Sequence, residues 1–264
     1  MRRRIVAALG AAVVAACAVV AIGRVAVGAP ARPTSPLRGA PLPPAPRQAL
    51  SVPSPRGLGD SRHMSVWTIL VRPTTARARP DADARPVARL ARRTPEGTPN
   101  SLVPLGRAGD GHGHVWVRAR LPVLPNGTTG WVHRRALGAY QPVRTHLVVD
   151  LERLTATLLR DGRPVLRAKV GVGQPRWPTP RGEFHIRNRL TGYRDPFYGP
   201  LAFGTSARSA QQTDWPAGGF VGIHGTDRPD LVPGRVSHGC IRMRNADILR
   251  LGRLMPVGTP LSIH

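Results

Sequence analysis

The residues that could do chemistry are concentrated in one stretch, His224 to Arg242, with the sequence HGTDRPDLVPGRVSHGCIR. The stretch contains Cys240 and two histidines that precede it, His224 and His238. A cysteine beside a histidine is a pair used for nucleophilic acyl transfer, because the sulfur attacks a carbonyl while the imidazole takes the thiol proton. Both histidines are candidate bases. His238 is nearer to Cys240 in sequence and points the same way on an extended chain.

The surroundings of Cys240 favour a reactive thiol over a buried structural one. The residues just before it, SHG, are polar and contain a glycine, and a predicted helix begins a few residues after it. Peptide dipoles at a helix start and the nearby cations Arg242 and Arg244 favour a thiolate. Gly239 allows consecutive N–H groups to point at one spot, which is the raw material of an oxyanion hole.

Other chemistries of these residues fit less well. His224, His238 and Cys240 could be three zinc ligands, but no Cys-x-x-Cys or His-x-x-x-His pair supports such a site. A redox role needs a resolving cysteine, and the only other one, Cys17, lies in an apolar N-terminal run. A papain-like protease places its cysteine well before its histidine. Acyl transfer without a metal or cofactor is the remaining interpretation.

The elements that must position this stretch are predicted to be mainly β-strands. Apolar strand candidates begin near residues 146, 154, 164 and 183. Asp161-Gly162 between two of these runs is a strong hairpin signal. Phe220 to Ile223 forms a further apolar run that ends at His224. The histidine is therefore expected at the end of a strand.

One helix is expected after Cys240. Asn245 is its predicted N-cap, and apolar residues at helical spacing give it a buried face. Pro256 stops the helix, and Gly258 to Ile263 is the last strand candidate. The second unit, residues 144–264, is thus a mainly β domain with one helix beside the cysteine.

A first β unit is predicted for residues 63–140. Its strand candidates are Val66–Val71, His114–Ala119 and Gly130–Val132. The stretch from Trp116 to Val132 (WVRARLPVLPNGTTGWV) resembles a small bacterial SH3-like β-barrel. Its tryptophans are interpreted as core anchors.

The N-terminus predicts a protein that acts outside the cytoplasm. Residues 1–31 contain three consecutive arginines, Arg2 to Arg4, then an apolar run from Ile5 to Ile22, Arg24 and a stretch of small residues, which is the pattern of a signal peptide. The run is also long enough for an uncleaved membrane anchor, and a lipoprotein-like box ends at Cys17. Residues 32–62 form a Pro/Ala/Arg-rich linker that holds the rest away from the membrane. All outcomes predict a cell-wall or periplasmic location, anchored or secreted.

The charge of +25 does not indicate nucleic-acid binding. Of the 39 basic residues all but Lys169 are arginine, which is more typical of genomic base composition than of a selected binding surface. The charge is also spread evenly along the chain, with no focused patch.

The whole stretch resembles a known family. HGT from His224, and SHGCIR from Ser237, are similar to the signature of the L,D-transpeptidase (YkuD-type) catalytic domain. The segments Thr179–Phe184 and Tyr198–Gly204 are similar to its upstream parts, so the resemblance covers residues 144–264. It implies a β-sandwich-like catalytic domain that cross-links peptidoglycan stem peptides 3→3 through a cysteinyl thioester.

The resemblance also implies residue roles. Cys240 is the nucleophile and His224 the proton donor and acceptor. The residues expected to line the site and its oxyanion pocket are His238, Gly239 and Ser237, and those expected to bind substrate are Arg242, Gly225 and Thr226. Two alternatives remain: an L,D-carboxypeptidase that trims tetrapeptide stems, and a non-catalytic wall-binding protein. The partners are stem peptides, and the membrane if the N-terminal segment is uncleaved; no prediction concerns the oligomeric state.

Overall fold

The structure is a computed structural model that describes residues 64–192, 195–211 and 219–264. The predictions for residues 1–31 and 32–62, including the anchor and lipidation of Cys17, lie outside these residues. Among the helices of the described part of the chain, none is long and apolar enough to cross a membrane.

The first of the two β-sheets formed by the described residues has seven strands in the spatial order β3-β2-β6-β5-β4-β1-β7. The strands are β1 (Ser65–Ile69), β2 (Thr74–Arg77), β3 (Pro86–Leu90), β4 (Ser101–Gly109), β5 (Val115–Arg120), β6 (Thr129–His133) and β7 (Gln141–Val143). Leu102, Val117 and Val132 are fully buried at the centre of its own apolar core. The β character expected of this unit is confirmed, and the SH3-like barrel stays a prediction.

The second sheet has ten strands in the order β10-β9-β8-β17-β12-β13-β14-β16-β11-β15. The strands are β8 (Thr145–Asp150), β9 (Thr155–Arg160), β10 (Arg163–Lys169), β11 (Gly171–Gly173), β12 (Gly182–Leu190), β13 (Ala202–Arg208), β14 (Phe220–His224), β15 (Gly234–Ser237), β16 (Ile241–Arg242) and β17 (Pro260–Ile263). The described residues contain one α-helix, α1 (Asn245–Leu254), and the 3-10 helices Arg134–Ala136, Pro196–Tyr198 and Pro229–Leu231. The prediction of a mainly β chain with one helix after the cysteine is confirmed.

The hairpin between β9 and β10 follows directly from its turn residues. Asp161 and Gly162 both have positive φ, 53° and 75°, which is the conformation that a two-residue hairpin turn needs. In β8, before the hairpin, burial alternates, with Leu147 and Val149 fully buried between partly exposed neighbours. The period-2 pattern thus buries one face of the sheet.

Helix α1 lies where the sequence predicts it, but its cap is different. Ile248 and Leu251 are fully buried, and the helix ends before Pro256. The N-cap is Arg244, which makes no side-chain capping bond, so the prediction of Asn245 as N-cap is wrong by one residue. The Asn245 amide oxygen instead accepts the backbone N–H of a residue beyond β14, as described below.

The order of the strands brings the two ends of the reactive stretch together. Strand β14 pairs with β16 in parallel, with Ile223 opposite Ile241 and His224 opposite Arg242. The chain must cross over between parallel neighbours, so the segment after β14 loops away and returns beside it. Cys240, the residue before β16, therefore stands close to the end of β14.

The two sheets also contact each other through polar groups, and both lie in one compact unit of the chain. The Ser101 hydroxyl lies 3.2 Å from Nε2 of His185, a fully buried histidine of β12. Arg187, whose side chain is only 1% exposed, pairs with Glu96 of the first unit at 3.0 Å.

Candidate active site

The turn that carries Cys240 is fixed by two buried hydroxyls. Ser237 accepts a hydrogen bond from the Gly239 N–H (3.1 Å) and donates one to the Cys240 carbonyl (2.6 Å). Thr179 donates to the Gly239 carbonyl (2.8 Å) and accepts from the Gly173 N–H (2.9 Å). Gly239 has a φ of 114°, a region in which a residue with a Cβ is strained. The position of the sulfur is therefore determined by the fold rather than by a loose loop.

The thiol of Cys240 is buried, and its surroundings favour the neutral form. The residue is 9% exposed, and Sγ accepts one hydrogen bond, from the Gly222 N–H at 3.4 Å. Burial raises the pKa of the thiol above its usual value, and the smaller opposing effects of the Gly222 N–H and Arg242 do not overcome it. Desolvation therefore outweighs the nearby positive charge that the sequence analysis expected to favour a thiolate.

His224 is oriented as a proton acceptor. It is 2% exposed, and its Nδ1–H donates to the Gly225 carbonyl at 2.6 Å, which leaves the lone pair on Nε2. Within the described residues Nε2 has no hydrogen-bond partner. Burial, with a smaller contribution from Arg242, lowers the pKa of His224 to about 4 against the opposing Gly225 bond. The imidazole is therefore neutral at pH 7.

Gly222 brings the sulfur and the imidazole into one cavity. A methyl group at Gly222 would lie 3.8 Å from Cys240 Sγ and 3.9 Å from His224 Cδ2, so both groups border the space that the missing side chain leaves. All three residues line one narrow crevice. The neutral thiol and the neutral base thus face the same opening.

Two aromatic side chains that the sequence analysis did not assign to the site pack against His224. The 3-10 helix that holds them is capped by Asp195, which accepts the Phe197 N–H at 2.9 Å. The ring centroids of Phe197 and Tyr198 lie 5.7 and 5.1 Å from that of His224. The Asp-Pro pair before them is a turn signal that indicates this local structure but not its place beside the histidine.

The two residues after His224 make hydrogen bonds and close contacts within the protein. The Asn245 amide oxygen accepts the Thr226 N–H at 2.9 Å, and the Thr226 hydroxyl accepts the Arg228 N–H at 3.0 Å. Gly225 lies so close to Asn245 and Gly199 that a side chain would collide with both. In this structure Gly225 and Thr226 shape the turn that orients the His224 ring, and substrate binding by them stays a prediction.

The second candidate base, His238, lies elsewhere. Its side chain is exposed, its ring packs edge-on against Trp177 with the centroids 4.2 Å apart, and it does not line the crevice. His224 lines the crevice beside Cys240 and offers an unpartnered nitrogen. The geometry therefore favours His224 over His238 as the base.

Arg242 lies beside Cys240 and His224 and lacks an anionic partner within the described residues. It is 7% exposed, its guanidinium stacks 4.3 Å from the centroid of the Phe197 ring, and its Nε has no partner there. Desolvation lowers the pKa of Arg242, against smaller effects of Cys240, Asp227 and Tyr198. A buried cation of this kind favours binding of an anion.

Known proteins resemble the part of the chain that contains this site. Residues 144–263 match the family model of the L,D-transpeptidase catalytic domain (YkuD). The chain is 36% identical over 119 residues to Bacillus subtilis YkuD, a match that covers 45% of this chain and 65% of that protein, just under two thirds of its length. It is 34% identical over 133 residues to Bacillus subtilis YqjB, covering 46% and 72%. Both relatives carry the name L,D-transpeptidase. The catalytic domain of an E. faecium L,D-transpeptidase, solved by NMR, is 28% identical, covering 46% of this chain and 96% of that one with a TM-score of 0.34.

Proposed function

Because the chain belongs to the L,D-transpeptidase family, we propose that it cross-links peptidoglycan stem peptides 3→3 through a thioester on Cys240. The observation that carries the proposal is the neutral Cys240 thiol and the unpartnered Nε2 of His224 in one crevice. Thiol and base are the two groups that acyl transfer needs.

In the acylation step, the sulfur attacks the carbonyl between residue three of a tetrapeptide stem, an L-centre, and its terminal D-Ala. His224 Nε2 takes the thiol proton as the S–C bond forms, since both groups start neutral. The C–N bond then breaks, and the imidazolium gives the same proton to the departing D-Ala nitrogen. A thioester of residue three remains on Cys240, and the imidazole is neutral again.

In the second step, the side-chain amine of residue three on another stem attacks the thioester carbonyl. His224 accepts a proton from the attacking nitrogen, the C–S bond breaks, and the proton returns to the sulfur of Cys240. The product is an amide between two third residues, and the enzyme is regenerated. Water in place of the amine would give the L,D-carboxypeptidase reaction.

The developing oxyanion needs N–H donors near the sulfur. We assign this role to the Cys240 N–H, which has no acceptor in the described part of the chain. The Gly239 N–H is directed to the Ser237 hydroxyl, so it can serve only if that bond opens. The backbone of His238 and Gly239 then borders the oxyanion site, while the His238 ring packs on Trp177 and Ser237 positions the turn.

Arg242 is proposed to bind the carboxylate of the terminal D-Ala. Its guanidinium is largely desolvated, which strengthens a charge-assisted bond to a carboxylate. The proposed substrate places the enzyme in the cell wall or periplasm, anchored or secreted through its N-terminal segment.

The proposal is tested by muropeptide analysis. The purified chain is incubated with disaccharide tetrapeptides, and the products are separated and identified by mass spectrometry. Dimers linked 3→3 together with released D-Ala are expected from the native chain, and neither from the Cys240→Ala variant. Tripeptides without dimers would show a carboxypeptidase, and intact tetrapeptides from a folded sample would refute catalysis.

A further inference from the structure

Glu96 is held rigidly at the tip of a turn between β3 and β4 of the first sheet. The Gly97 N–H donates to the Thr94 carbonyl at 2.9 Å, with Pro95 at the second turn position, where its fixed φ is favoured. The hydroxyls of Thr94 and Thr98 lie 2.8 Å apart and close the base of the turn. The glutamate therefore has a defined position.

This turn reaches into the crevice that contains the catalytic pair. Glu96 lines the same space as Cys240 and His224, and its side chain is 15% exposed. One carboxylate oxygen, Oε2, accepts from Arg187 at 3.0 Å and from the Asn188 amide at 3.3 Å. Among the described residues nothing donates to Oε1, so one oxygen remains for a ligand.

The path from Glu96 to the sulfur runs across three neighbouring strands. Asn188 of β12 lies opposite Gly204 of β13, which lies opposite Gly222 of β14, whose N–H donates to Sγ. The backbones of Asn188 and Gly222 are two inter-strand spacings apart, which is about 10 Å. The carboxylate and the sulfur thus stand at opposite ends of the crevice.

Most of the residues between the two ends are apolar, among them Leu190, Ala202 and Phe220, and Gly222 leaves the floor open beside the sulfur. The guanidiniums of Arg187 and Arg208 stack on the Phe220 ring, 3.6 and 4.6 Å from its centroid. A linear aliphatic chain with a cation at its tip suits such a crevice, because the methylenes pack on apolar walls while the charge meets the carboxylate.

We propose that Glu96 is a specificity-determining residue that binds the terminal ammonium of the side chain of residue three in the acyl donor. The inference rests on the proposed function, in which that residue is acylated onto Cys240. Six bonds from the scissile carbonyl carbon to a side-chain nitrogen span roughly 7 Å. A charge-assisted hydrogen bond adds about 2.8 Å. This reach is comparable to the two inter-strand spacings between the backbones of Asn188, which contacts Glu96, and Gly222, which contacts the sulfur.

The test compares two soluble tetrapeptides that differ only at residue three, one with a free side-chain amine and one with that amine acetylated. Binding is measured by calorimetry with the inactive Cys240→Ala full chain, and D-Ala release with the active chain. With Glu96 in place, the peptide with the free amine should bind more tightly and release D-Ala faster than the acetylated peptide. Glu96→Gln should lower binding and kcat/KM for the free amine by roughly 10- to 100-fold, the value of a hydrogen bond between charged groups, and leave the acetylated peptide nearly unchanged.

Two further variants separate recognition from structure. Glu152→Gln makes the same charge change at an 80% exposed side chain and should leave the preference intact. Glu96→Gln alone leaves the buried Arg187 charge unpaired, which can destabilise the fold. The double variant Glu96→Gln/Arg187→Gln removes both charges, and should lose the preference as the single variant does.

The outcomes distinguish this inference from the proposed function. If Cys240→Ala binds both peptides equally, or if the Glu96 variants keep the preference for the free amine, the inference is wrong. If the preference depends on Glu96 but no D-Ala is released by the active chain, the assignment of Glu96 is supported and the proposed reaction is refuted.

Discussion

The neutral state of His224 makes the pH dependence of acylation an informative test. A carbapenem is a suitable probe, because attack on its strained lactam forms a stable adduct on the nucleophile and isolates the first step. In the free enzyme the rate depends on the fraction of His224 that is neutral and able to take the thiol proton. The pKa of His224 is about 4, so this fraction is nearly complete at pH 7.

The size of the effect follows from that pKa. Lowering the pH from 7 to 4 should halve the neutral fraction, so acylation should slow only about twofold. A histidine with the ordinary pKa of about 6.5 would slow it roughly 200-fold over the same range. The rate should then stay level up to the raised pKa of the Cys240 thiol.

The free energy of unfolding also changes between pH 7 and 4, so it must be measured together with the rate of acylation. The pKa of His224 is lower in the folded than in the unfolded chain, so protons bind preferentially to the unfolded chain. Its contribution to stability is complete above about pH 6.5 and is lost as the pH falls toward 4, by about 3 kcal/mol. His185, with its pKa lowered to about 3 by burial, acts in the same direction.

The assay is the rate of adduct formation from pH 4 to 9, followed by intact-protein mass spectrometry, with circular dichroism at each pH as the control for folding. His224→Ala should slow acylation at pH 7 by about 10²- to 10⁴-fold. The residual acylation rate of the His224→Ala variant should rise tenfold per pH unit as the Cys240 thiol ionises. A midpoint near 6.5 in the native enzyme, with the fold intact, would refute the neutral pair.

Substitutions at three positions test other parts of the site. Cys240→Ala and Cys240→Ser should abolish adduct formation and cross-linking while the melting temperature stays close to native; turnover by either would remove the covalent mechanism. Thr179→Val loses both hydroxyl bonds to Gly239 and Gly173, so unfolding in urea should show a loss of about 2–4 kcal/mol; Thr179→Ser is the matched control, and an unchanged midpoint in the valine variant would contradict the assigned contacts. Gly222→Ala places a methyl group in ordinary contact with the sulfur, so the fold should remain while adduct formation slows at least tenfold, as checked by melting and mass spectrometry. A native rate in that variant would show that substrate does not use this space.

The strands and the helix could be predicted because their signals are local. Asp161-Gly162 predicts the hairpin through backbone conformation alone, and the run from Phe220 correctly ends at His224. The helix is confirmed, but its cap is wrong because Asn245 is drawn into a tertiary bond with Thr226. That hydrogen bond joins residues that are far apart in sequence, so a local sequence pattern does not predict it.

The state of the site could not be predicted from the sequence. Arg242 and the helix start indicate a thiolate, whereas burial, which depends on the whole fold, keeps Cys240 neutral. The choice between His224 and His238 likewise depends on which ring lines the crevice. Glu96 carries no sequence signal at all, since the sheets bring it to Cys240 from a different part of the chain.

The buried polar contacts between the sheets have a thermodynamic consequence. Separating the sheets would break the Ser101–His185 contact and leave the desolvated Arg187 without Glu96. Partial melting is therefore costly, and the chain from residue 64 onward should unfold cooperatively, in one calorimetric transition. For roughly 200 residues the enthalpy of that transition is about 140 kcal/mol near 60 °C. A state in which the seven-stranded sheet is unfolded and the ten-stranded sheet is intact would then be too rarely populated for a protease to cleave it.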